Sequence, residues 1–100
     1  MALNDVMNNW FTSSVGTDRS ATVALTSGTL IPANPDRTKF IVKNDTANNI
    51  WINLTRTASA VPGNGNIKIA AGGYFELDGH SGTVTAISET APGDVTAREW

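Results

Sequence analysis

Hydrophobic and polar residues alternate with a period of two over most of this chain, and the clearest case falls at its centre. Over residues 38–43, Phe40 and Val42 share one face, with Lys39, Ile41 and Lys43 on the other. Over residues 49–54, Ile50, Ile52 and Leu54 share a face, with Asn49, Trp51 and Asn53 opposite. That period marks a half-buried strand. Polar turn-formers separate the two runs, so the pattern predicts a β-hairpin in which residues of matching parity pair, Ile41 with Trp51 and Val42 with Ile50. A one-residue slip turns a whole face outward, which restricts the connection to an odd number of residues.

The flanks read the same way. Residues 17–20 form a polar linker, and residues 20–26 alternate, with Ala21, Val23 and Leu25 opposite Thr22, Ala24 and Thr26. Ser27-Gly28 interrupts, and residues 29–31 resume an extended run that Pro32 closes, because proline cannot donate to a ladder. Asn34-Pro35-Asp36 carries strong turn chemistry. Residues 55–66 make a long, small and polar loop, a type that is either functional or mobile in compact domains. Short strands follow at Ile67 and Ile69, at residues 74–77, at 83–89 and at 95–100, where Val95, Ala97 and Glu99 face away from Thr96, Arg98 and Trp100. Seven or eight short strands punctuated by turns predict an all-β fold, an antiparallel β-sandwich.

One segment departs from this period. Leu3, Val6, Met7, Trp10 and Phe11 fall at helical spacing on a single face, which predicts a short amphipathic helix in an N-terminal arm, residues 1–16, ahead of a β-sandwich domain, residues 17–100. A helix of about ten residues is not stable alone in water. The face must dock, either on an open edge of its own domain or on a neighbouring subunit or partner.

Composition narrows the function more than it defines it. One hundred residues make one domain. There is no cysteine, hence no disulfide framework and no thiolate metal site, which suits a reducing compartment. The seven basic residues are scattered and the net charge is −2, so no footprint for nucleic acid is expected. No apolar run approaches the roughly 20 residues that span a bilayer, and Asn4 and Asp5 stand where a signal peptide carries basic residues. No membrane partner is expected.

Against this background several residues carry a resemblance. Leu30-Ile31-Pro32-Ala33-Asn34-Pro35-Asp36-Arg37, then Phe40-Ile41-Val42-Lys43-Asn44 and Ile50-Trp51-Ile52, resemble a small β domain of tailed-bacteriophage structural proteins. Ala71-Gly72-Gly73-Tyr74-Phe75-Glu76, Val84-Thr85-Ala86-Ile87 and the Glu99-Trp100 ending fit the same pattern, so the likeness covers about residues 20–100. Such proteins are accessory virion components: head decoration or cement proteins, head fibres and tail-associated parts. The resemblance implies a virion protein assembled in the bacterial cytoplasm, without catalytic residues or cofactor, partnered by the major capsid protein or another virion protein. It also implies a homo-oligomer, for which a trimer suits threefold positions on a shell. A tail, neck or fibre-anchoring component is the first alternative, and a carbohydrate- or receptor-binding module the second.

Candidate chemistry is sparse. His80 is the single histidine, in a Gly-Ser turn whose Gly79-His80-Ser81-Gly82-Thr83 lacks the second glycine and the strand-to-helix setting of a nucleophile elbow. Asp36, Asp45, Asp78 and Asp94 fall at turn positions, where aspartate bonds backbone, and show no calcium-loop spacing, so no metal site is expected. The Asn44-Asp45-Thr46 and Asn53-Leu54-Thr55 sequons are expected by chance in a chain this rich in Asn and Thr. The aromatics say more. Trp10 and Phe11 in the arm, Trp51 opposite the core face and Trp100 at the chain end are apolar surface for a small domain to cover. With Leu3, Val6 and Met7 they form the expected partner-binding set. Trp51 beside Asn49 and Asn53 is also the candidate glycan platform.

Overall fold

The computed structural model describes residues 16–100. The N-terminal helix, and with it Leu3, Val6, Met7, Trp10 and Phe11, lies outside the described residues.

Among the described residues the chain is all-β, with nine strands in two antiparallel sheets and no helix. The strands are β1 (Thr17–Asp18), β2 (Ala21–Val23), β3 (Gly28–Ile31), β4 (Lys39–Asn44), β5 (Ile50–Asn53), β6 (Ile67–Ile69), β7 (Tyr74–Asp78), β8 (Val84–Ser88) and β9 (Gly93–Glu99). The first sheet runs β1-β9-β4-β7, with β2 also pairing β9; the second runs β3-β8-β5-β6. The arrangement is sandwich-like. Inward parity is kept across both sheets: Phe40 and Val42 of β4 and Val95 and Ala97 of β9 meet Ile50 and Ile52 of β5 and Val84 and Ala86 of β8 in one core. Each large side chain removed from water there contributes about 1.5–3 kcal/mol.

The central hairpin is the main correction. Lys39–Asn44 and Ile50–Asn53 belong to different sheets and do not pair. Ile41 instead lies opposite Glu76 and Arg98, and Trp51 opposite Lys68 and Ile87. The chain arches from one sheet to the other through residues 45–49, and Asn44 builds the arch. Its Nδ2 donates to the carbonyls of Asn48 (2.7 Å) and Ile69 (2.8 Å), while its Oδ1 accepts from the Thr46 amide (2.9 Å). Facing sheets demand the same inward parity as a hairpin, so alternation alone cannot separate the two.

A second crossing shortens the first predicted strand. Ser88 of the second sheet donates its amide to the Ala24 carbonyl at 2.8 Å, so the chain has left β2 and changed sheet at that point. Leu25, expected on the inward face, is consequently 49% exposed. The residues 17–20 linker contains β1 on the edge of β9. Asp94, expected in a turn, lies within β9 with its carboxylate on the Thr22 hydroxyl.

The long loop after β5 is tied down by asparagines. Asn53 is fully buried; its Oδ1 accepts from the Thr55 and Arg56 amides, and its Nδ2 donates to the Asn64 carbonyl and Asn66 Oδ1, each at 2.9–3.0 Å. The loop crosses the outer face of the second sheet, where the Arg56 carbonyl accepts from Thr85 and the Ala58 amide donates to Ser27.

Candidate functional site

Among the described residues, the densest charged cluster closes one end of the sandwich. Three parts of the sequence build it. Asn34-Pro35-Asp36 turns as its composition dictates, with the Asp36 amide on Asn34 Oδ1 at 3.0 Å, and delivers Arg37 inward. Alternation along β9 places Glu99 on the core face behind Val95 and Ala97. Arg19 arrives from the link between β1 and β2.

Glu99 is only 2% exposed. Its Oε1 accepts from Arg37 Nε (3.2 Å) and Asn34 Nδ2 (2.9 Å), and its Oε2 from Arg19 Nε. Arg37 is fully engaged beyond this pair. Its Nη1 donates to the carbonyls of His80 (2.8 Å) and Gly82 (2.9 Å), and its Nη2 to that of Pro32 (2.6 Å). One guanidinium thus joins the loop after β3, the loop after β7 and the last strand. Burial raises the Glu99 pKa, but hydrogen bonds from Asn34, Arg19 and Arg37 and the charge on Arg19 outweigh it, holding the carboxyl below the ordinary glutamate range.

The expected site residues that lie among the described residues are dispersed. Trp51 is 7% exposed, and its Nε1 donates to Glu89 Oε1 at 3.2 Å. Asn49 donates to the other oxygen of Glu89 at 2.8 Å. With Asn53 buried in the loop network, the three side chains of the expected glycan platform are all engaged within the chain. Trp100 is half-buried on the outer side of the first sheet. Lys39 Nζ stands 5.6 Å from its ring centroid, and its carbonyl accepts from the Thr38 amide at 2.6 Å. Gly16 fits against it because a Cβ there would stand 2.9 Å from the indole, at a φ of +73° that disfavours any side chain. The structure does not bring Trp51 and Trp100 together, since they sit on the outer faces of different sheets.

His80 packs edge-on to Phe40 at 6.1 Å, with ring Nε2 3.4 Å from the Thr83 carbonyl. No nucleophile stands beside it in any described contact. Among the described residues no three His, Asp or Glu side chains gather as metal ligands. An open cleft of about 470 Å³ lies between residues 54–57 and 82–85 and is lined chiefly by threonines and Arg56.

The turn at Asn34 is as expected, whereas Arg37, Glu99 and Asn44, and the loop-fastening role of Asn53, have no counterpart among the expected site residues. One signal existed for Glu99, since a glutamate at an inward position of a strand requires a cation. No family model, curated protein or solved structure matches the chain.

Proposed function

We propose that this protein is a non-enzymatic structural component of a tailed-phage virion, a decoration or cement protein that docks on the assembled shell and stabilises it. The observation that carries this reading is the placement of the polar side chains. Arg37 and Glu99 fasten one end of the sandwich, Asn44 fastens the sheet-to-sheet arch, and Asn53 with Asn66 fastens the long loop. Each joins distant stretches of the protein's own backbone, and none converges with a nucleophile or a second charge on an open cleft. Such a domain is a stiff block, suited to a mechanical role. The sequence resemblance over residues 20–100 points the same way.

Docking acts through mass action. A protein that binds the assembled lattice, and not its dispersed subunits, adds its binding free energy to the stability of the assembly. Many equivalent copies on one shell add avidity. Leu3, Val6, Met7, Trp10 and Phe11 are the residues assigned to the docking arm, on their spacing in the sequence. Sedimentation with shells assembled from the same phage's major capsid protein tests the reading. The protein should pellet with shells to a saturating ratio and stay in solution with unassembled subunits. Protein that remains in the supernatant at every ratio refutes it.

A further inference from the structure

The two sheets end together along one side of the sandwich. β7 is the last strand of the first sheet and β6 the last of the second, and a four-residue turn, residues 70–73, joins them directly. On the opposite side, β1 and β2 share the edge of β9 across from β3. Among the described residues nothing pairs with the outer edge of β6 or β7.

The side chains along this open side are sorted. Phe75 and Leu77 of β7 and Ile67 of β6 are half-buried against the core, still partly open to solvent. Midway along β7 the outward residue is Glu76; midway along β6 it is Lys68. Lys68 has no ion-pair partner among the described residues, and Glu76 meets only the exposed Lys39 at 3.4 Å. Each edge therefore resists its own kind. Antiparallel pairing of β7 with a second β7 about its centre sets Glu76 against Glu76, and the same operation on β6 sets Lys68 against Lys68, a repulsion of the kind that guards edge strands.

The crossed pairing has the opposite sign. The end of β6 and the start of β7 lie level with each other, because Asn44 bonds the Ile69 carbonyl and exchanges backbone hydrogen bonds with Gly72 and Gly73. β6 runs toward that turn and β7 away from it. A twofold axis parallel to the strands then brings β6 of one copy antiparallel to β7 of the other, twice over. Of the registers that keep apolar residues inward, one sets Ile69 against Gly73 and Lys68 against Tyr74. Another sets Ile69 against Phe75, Lys68 against Glu76 and Ile67 against Leu77, and this one joins the opposite charges and covers the apolar stripe.

We propose that the open β6–β7 side is the interface for a second copy of this chain, paired edge to edge with Lys68 of each copy on Glu76 of the other. Both sheets then continue across the dimer, and the half-buried stripe is covered. Such short edges give a contact smaller than a standard interface, so the dimer is concentration-dependent.

Sedimentation velocity on the full chain over a concentration series, with the charge reversals Lys68→Glu and Glu76→Lys, decides the matter. The expected result is a dimer in the native protein, loss of association by tenfold or more in each single variant, and recovery in the double variant. Hydrogen exchange on the native protein guards against misfolded variants: edge amides of β6 and β7 should exchange more slowly as protein concentration rises. A monomer throughout, an oligomer that neither reversal weakens, or a double variant that fails to recover overturns the proposal. Edge amides protected equally at all concentrations would mean that residues 1–15 of the same chain cover the side, and would overturn it too.

Discussion

A carboxylate on the core face of β9 is tolerable only because two guanidinium groups and an amide reach it. Removing one member of a buried ion pair typically costs about 3–5 kcal/mol. Arg37→Met should therefore lower unfolding stability by about that amount, measured by urea denaturation, because the Glu99 carboxylate loses a cation and three carbonyls lose their donor. The same geometry fixes a pH dependence. The folded pKa of Glu99 lies below its unfolded value, so its contribution is complete above the ordinary glutamate pKa of about 4.3 and fades as pH falls through the folded value. In acid titrations the stability gap between the native protein and Glu99→Gln should narrow below about pH 4. Asp18, bonded by Ser20, and Asp45, bonded by Thr96, are also held low and leave both proteins with some acid sensitivity. A gap that stays constant down to full protonation would contradict this assignment of Glu99.

At the scale of elements, the strands were legible and their partnerships were not. Alternation located Phe40, Val42, Ile50 and Ile52 on inward faces because a half-buried strand writes its period locally. Whether two consecutive strands fold back in one sheet or arch between two depends on Asn44, whose amide reaches Ile69, 25 residues on. Arg19 and Glu99 are 80 positions apart, and no local pattern reports so distant a pairing. The long loop was legible as a loop, while its order rests on Asn53 and Asn66, which read in sequence as ordinary loop polarity. Asn53→Ala removes the acceptor of the Thr55 and Arg56 amides and the donor to the Asn64 carbonyl, while the Asn66 carboxamide keeps only its bonds to Ser59 and Val61. The substitution should cost about 1–3 kcal/mol and speed proteolysis within residues 55–65, measured by limited digestion and mass spectrometry. The β9 start gives a second test of packing. A Cβ at Gly93 would stand 2.9 Å from Thr46 Cβ and closer still to its methyl, so Gly93→Ala should lower stability by about 1–3 kcal/mol.

At the level of the whole molecule, residues 16–100 hold a packed core and polar ties that fasten it. Deleting residues 1–15 should leave cooperative unfolding in place while shell binding is lost, if the arm's apolar face docks on a neighbour. A deletion variant that fails to fold would assign that face to its own domain instead. The proposed reinforcement of an assembled lattice by this β domain is tested by the temperature at which purified shells of the same phage disrupt, followed by light scattering as the protein is titrated in. The disruption temperature should climb with occupancy and level off when the sites are full. Shells that disrupt at an unchanged temperature while saturated with the protein would contradict it.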